Sequence, residues 1–416
     1  IRDSSTSRGS EMCIRDSTLP AQSVTSAKLS PSLSDLIDGN GSIEQAMPAG
    51  SVIACKPGES PPTGYTLFQR NEYNASLVWE EKAPISMARY TSNGVVELDG
   101  KIYLLGGWYN SPRNIVERYD PVSNQWETLN PMSVTRDGMA VAALNGKIYA
   151  IGGVGLTSVE IFDPQTGQWT SGPALPAELF HASALGVDGK IIIVGGSNSA
   201  QHSLNQVLEF NPNSNQWVQK NPMPTARNSF KLIHHQGKLW AIGGSTGTGS
   251  SQGTNKVEIY DTANDSWSSG ASLNFSRNAP SAWSTHDRVY VASGKTPSHV
   301  TLDSIEVFNP YTNSWSLAGS LPEAKFSAHT AIIDSKVYII GGSRGSVFTN
   351  KVYSAELPTP EMNLYFKDGN ATVEADLSTL GMADGSLTIG QLAPDALAKL
   401  GLDHNPATTE GNLLAI

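Results

Sequence analysis

Five cationic side chains, Arg89, Arg136, Arg227, Arg277 and Lys325, recur at one position of a repeated segment, and Leu179 stands there in the remaining copy. In a chain of net charge −10 such a series has two physical readings. A ring of guanidinium groups grips an anionic ligand, a carboxylate or an acidic sugar, through bidentate hydrogen bonds. Alternatively each cation bonds carbonyls or a glutamate of its own or the adjacent repeat, and the recurrence itself favours that structural role.

Residues that occur in one copy only are better placed to serve a ligand, because whatever every copy carries serves the repeat. Trp108, Tyr109 and Arg113 crowd one loop, and Arg344 and Phe348 another. An aromatic beside an arginine on a loop recognises peptides or sugar faces. Glu178, Phe180 and His181 surround Leu179, while Tyr90 and Phe326 follow Arg89 and Lys325. The competing reading of all these is ordinary loop variation with partly buried aromatics. The segment 245–254, all Ser, Thr, Gly and Gln, reads as flexible filler.

Other chemistries find little support. The two cysteines, Cys13 and Cys55, precede the repeats, so the repeats hold neither disulfide nor thiol. His181, His202, His234, His235, His286, His299 and His329 are scattered without ligand spacing, and His234 and His235 alternate faces of one strand. No metal or cofactor is expected. Nucleic acid is not expected as a partner either, since no Lys/Arg run concentrates positive charge. No apolar stretch reaches the ~18 residues of a membrane span.

The elements that position these residues follow from two markers that keep step. Tryptophan recurs at 79, 126, 169, 217, 267 and 315. A Gly-Gly doublet recurs at 106–107, 152–153, 195–196, 243–244 and 341–342, with Ser293-Gly294 as its degraded copy. Between them each copy divides into four short strands. An apolar first strand meets a tight turn such as Asp99-Gly100, Asn145-Gly146 or Asp188-Gly189, then a second strand runs into the doublet. A third strand carries a Val/Ile-Glu pattern and ends in Asp-Pro or Asn-Pro, and the Trp strand follows. Four antiparallel strands, radially repeated six times, predict an all-β, six-bladed β-propeller over 77–357.

The Gly-Gly doublet, the Tyr three residues before it, the Glu-x-Tyr/Phe-Asp/Asn-Pro segment and the Trp are similar to the kelch motif. That resemblance covers about two-thirds of the chain and implies ligand binding around the central channel, on the face holding the loops before the first strands and after the doublets. In kelch adaptors, arginines at the position of Arg89 and its counterparts contact acidic peptides. Copper-radical oxidases of the group need a cysteine that this propeller lacks. The six-bladed sialate mutarotases offer an enzymatic alternative, in which Glu178 or Glu323 would act with Arg136 or Arg227.

The last copy, 336–357, lacks its Trp, and Leu77-Val78-Trp79-Glu80 is a Trp strand without partners, so the N-terminal strand is expected to complete the last blade. Asn363–Phe366 is the rival. Residues 1–17, with Ile1-Arg2-Asp3-Ser4 repeated at 14–17, read as artefact or disordered tail. Residues 18–46 read as a linker unit with a short helix, 47–76 as a small segment resembling phage tail-collar sequences, and 358–416 as an extension bearing a second linker copy. The resulting expectation is a monomeric, non-catalytic recognition module for a protein, peptide or glycan. It would sit within a larger modular protein, extracellular or at the cell surface; a structural spacer is a further alternative.

Overall fold

The computed structural model describes residues 77–358 apart from 91–92, 201, 248–251, 286–287 and 311, with the backbone of five short strands outside that span. Residues 75–358 form one compact unit. Within it six sheets of four antiparallel strands follow one another. Blade I comprises Val95–Leu98, Lys101–Leu105, Val116–Asp120 and Gln125–Leu129. Blades II to V repeat this order over 140–172, 183–220, 231–269 and 281–320.

Blade VI contributes His329–Ile333, Lys336–Ile340 and Val352–Glu356 in sequence, and takes its fourth strand, Glu80–Lys82, from the N-terminal side. The chain thus closes its ring with the strand beside Trp79. Asn363–Lys367, the rival for that place, pairs instead between Val52–Cys55 and Tyr65–Gln69 in the other compact unit. The linker unit and short helix expected over 18–46 lie outside the described residues, and of the extension over 358–416 only residue 358 and the short strands Asn363–Lys367, Ser386–Thr388 and Asn412–Ala415 are described.

Local chemistry explains the blade. The hairpin turns at Asp99-Gly100, Asn145-Gly146 and Asp188-Gly189 hold both residues at positive φ, the conformation that matches strand twist. Second strands such as Ile102–Leu105 are buried throughout because a blade packs on each side of them. Apolar clusters fill the space between neighbouring blades; across the closing seam Ile102, Leu104 and Tyr119 of blade I pack with Ala331, Tyr338 and Ile340 of blade VI.

Trp126, Trp169, Trp217, Trp267 and Trp315 each lean on the aromatic opposite, as in Tyr119–Trp126 and Phe162–Trp169 with ring centroids 5.1 and 5.0 Å apart. Each indole N–H then donates to a carbonyl of the preceding blade, Trp126 to Ala83, Trp169 to Asn130, Trp217 to Pro173, Trp267 to Asn221 and Trp315 to Ala271. Trp79 completes the cycle by donating to Ser320 at 3.1 Å.

Candidate functional site

The loops before the first strands and after the glycine doublets meet on one face. Tyr90 bridges Trp108, Phe180 bridges Ser197, Asn228 bridges Ser245, Asn278 bridges Lys295 and Phe326 bridges Ser343. One residue further on, a blade-to-blade chain of backbone bonds runs along the mouth from blade II to blade VI. His181 N donates to Gly138 O, Ser229 N to His181 O, Ala279 N to Ser229 O and Ser327 N to Ala279 O, at 2.6 to 3.0 Å. All five residues sit at positive φ. At Gly138 a side chain would also meet the His181 ring 2.7 Å away.

The cation series does not face this mouth. Arg89, Arg136, Arg227, Arg277 and Lys325 are at most 1% exposed. Arg136 reaches Glu160 at 3.0 Å, Arg227 reaches Glu258 at 2.7 Å, Arg277 reaches Glu306 at 2.9 Å, and Arg89 pairs with Glu117. Each cation also donates to the carbonyl of the residue opening the doublet of its own blade: Gly106, Gly152, Gly243, Ser293 and, from Lys325, Gly341. The glutamates turn back to Ser86 N, Ser133 N, Asn274 N and the Thr225 hydroxyl.

The expectation that these five cations contact a ligand is therefore corrected: of the two readings, each cation bonding carbonyls and a glutamate of its own blade is the one observed. The cost of desolvation explains the partnership, since a buried guanidinium needs a carboxylate and filled donors; Arg227 Nε alone in the series is left without a partner. Burial pushes the proton affinity of all four arginines down, and the paired glutamates push back. At Glu160 burial acts upward, but Ser133 and Arg136 outweigh it and hold the carboxyl below its ordinary value.

Two blades vary the scheme. Leu179 and Leu208 replace the pair in blade III, both buried. In blade VI Tyr353 stands at the glutamate position, and Lys325 lies 4.8 Å over its ring while pairing with Glu323 at 2.9 Å.

The enzymatic casting fails on the same geometry. Arg136 and Arg227 are enclosed, and Glu323 is held by Lys325. Glu178 is half-buried and accepts from Ser199 N, and hydrogen bonds from the Ser199 side chain and backbone hold its carboxyl below the usual carboxylate range. The carboxyl that is pushed up is Asp137, to about 6, by burial. Its Oδ1 has no hydrogen-bond partner.

The single-copy residues come together. Trp108–Tyr109 pairs with Ser111–Pro112 in a small hairpin on blade I, and Ser343–Arg344 pairs with Val347–Phe348 in another on blade VI. These blades adjoin across the seam, and the hairpins meet through Phe348, whose ring lies 5.5 Å from Tyr90 and 5.8 Å from Tyr109. Arg113 braces the first hairpin by donating to Tyr109 O at 2.8 Å. Tyr109, Arg344 and Val347 are exposed; Trp108, Arg113 and Phe348 are half-buried.

Elsewhere on the mouth Phe326 lies under Lys295, whose ammonium is 4.9 Å from the ring. Phe180 packs edge-on against His181 at 5.2 Å, and burial drops that imidazole to about 4, so it is neutral near pH 7. Asp137, Asn228 and Asn278 were missed from sequence. They follow the cation in their copies, where the other copies hold Tyr90, Phe180 and Phe326, and that disagreement between copies was the available signal.

Comparison with known proteins agrees with this architecture. The family profile described as the KLHDC2/KLHL20/DRC7 Kelch-repeats domain matches residues 138–342, and that of the Kelch motif matches 89–133. The chain is 34% identical over 146 residues to Kelch repeat and BTB domain-containing protein 12 of Danio rerio, covering 28% of this chain and 23% of that one. It is 27% identical over 295 residues to Kelch-like protein 26 of Danio rerio, covering 66% and 40%. The chain thus spans well under half the length of these relatives. The solved structure titled "Structure of YjhT" superposes with a TM-score of 0.56 at 17% identity, covering 65% of this chain and 96% of that one, which is a likeness of fold. The chain belongs to the kelch-repeat family of β-propellers.

Proposed function

We propose that this propeller is a non-catalytic recognition module that binds a protein or peptide at its mouth face, on the wall formed by the hairpins of blades I and VI. One observation carries the reading: the two-stranded hairpins after the doublets of blades I and VI occur on neighbouring blades and share an aromatic contact at Phe348. Exposed Tyr109 and Val347 offer apolar area, and exposed Arg344 offers a fork for a carboxylate, the mixture typical of interface centres. Kelch relatives named with a BTB or F-box domain support a propeller that serves as one part of a longer polypeptide. Low charge and loops rich in Ser, Thr, Asn and Gly support export, with the propeller itself monomeric.

The test is a combined peptide and glycan array probed with the full chain and with its Y109A/F348A variant. Binding to peptides that the variant loses is the expected result. Binding to glycans alone would transfer the site to carbohydrate recognition, and binding to neither would leave the spacer reading.

A further inference from the structure

Below the mouth, the first strands of the six blades contact one another in a closed ring and form the channel wall. Their opening positions place Gly94, Ala140, Ser183, Lys231, Ser281 and His329 at one level. Most polar groups there are already engaged. Ser183 Oγ accepts from Leu232 N, Ser281 Oγ donates to Ala328 O, and Asn93 reaches from blade I to donate to Ala182 O on blade III at 2.8 Å. Two groups able to donate a hydrogen bond to an anion are left. His329 is 4% exposed, and neither ring nitrogen has a hydrogen-bond partner. Lys231 takes part in none of the ion pairs among the described residues.

Lys231 and His329 stand at the same level on blades IV and VI, near enough for the charge of one to act on the other. Burial first, and then the charge of Lys231, hold His329 well below its usual proton affinity. Protein crowds the Lys231 ammonium, and burial lowers it to about 8, yet the side chain keeps some accessible surface. An enclosed ammonium with no carboxylate and an imidazole with two idle nitrogens are each costly. Gly94 and Ala140, at the same level on blades I and II, bring no polar side chain.

We propose that the channel holds a small monovalent anion, carboxylate- or halide-sized, between Lys231 and His329. The anion accepts from the ammonium on one side and from a ring N–H on the other, satisfying both groups at once. A metal cation is disfavoured by the same ammonium. This site lies below the hairpin wall and does not depend on what that wall binds.

Calorimetric titration of the full chain with sodium acetate, and bromide-soaked crystals read by anomalous diffraction, test the assignment. Acetate should bind, and bromide should give a peak between the two side chains. K231M keeps the stem and removes the charge; it should weaken acetate at least about tenfold while raising the melting temperature in anion-free buffer. H329Q, a second variant that keeps a donor, should retain part of the affinity. If acetate binds wild type and K231M equally, or bromide soaks show only water at the site, the proposal is overturned.

Discussion

Leu179 and Leu208 occupy, in blade III, the two positions at which blades I, II, IV and V hold a buried arginine and its glutamate, and both pack in the cluster between blades II and III. The blade therefore accepts either an ion pair or an apolar pair at its centre. Physics makes the two solutions close in free energy, because desolvation nearly cancels the attraction of a buried pair, whereas one partner left alone is strongly unfavourable. E258L should strand Arg227 and cost about 3–5 kcal/mol, and R227L/E258L should recover most of that loss. Urea melts of the two variants decide it. A double variant as unstable as the single one would mean that the bonds from Arg227 to Gly243 O and Lys256 O matter more than the charge pair.

The seam offers a second expectation. Glu80–Lys82 pairs with blade VI over three residues only, while the fourth strand of blade II pairs over five. Trp79 and its bond to Ser320 O supplement that short contact. W79F keeps the ring and removes the donor, so it should cost about 1 kcal/mol in equilibrium stability. Its sharper signature should be faster amide exchange in Val352–Glu356 than in the matching strands of the other blades, read by hydrogen exchange with mass spectrometry. Uniform acceleration across all blades would contradict the idea that the ring opens at this seam.

Binding and stability should separate cleanly. Tyr109 is 37% exposed and Arg344 is exposed, so Y109A and R344A should leave the melt within about 0.5 kcal/mol of wild type and still weaken a peptide ligand. R136A should do the reverse, losing about 3–5 kcal/mol of stability by leaving Glu160 buried and unpaired. Paired melting and binding curves on the three variants test this. A fully folded R136A that has lost its ligand would restore the arginine to the binding face.

What the sequence disclosed and what it hid follow from the repeats. Six copies of Trp and of the doublet define the blades, and the orphan strand beside Trp79 with a last copy lacking its Trp predicts the closure that is observed. The same repetition shows that Arg89 and its counterparts share one role, but sequence separation hides the partner. Arg277 and Glu306 are 29 residues apart, and only the hairpin geometry brings them to 2.9 Å. The meeting of the two hairpins through Phe348 was equally hidden, since residues 109 and 348 become neighbours only when the ring closes. Disagreement between copies marks the position of Asp137 as variable, but nothing in the sequence shows that burial leaves its carboxyl without a full set of partners.

That carboxyl makes a pH prediction. In the folded protein Asp137 holds its proton up to about 6, against 3.8 for the free side chain, because burial penalises the charged form. Between those values the native state binds the proton more tightly than the unfolded chain, so stability falls as pH rises from about 4 to 6 and the penalty persists above. D137N keeps the shape and carries no charge at any pH. The two proteins should be nearly equal at pH 4, and at pH 8 the variant should be more stable by an amount on the order of 1–3 kcal/mol. Urea melts at the two pH values measure the gap, and a gap that stays constant would show that the Asp137 carboxylate is satisfied after all. A ligand presenting an ammonium or guanidinium beside Asp137 would remove the same penalty, so it should bind wild type more tightly than D137N at pH 8 and lose that preference at pH 4.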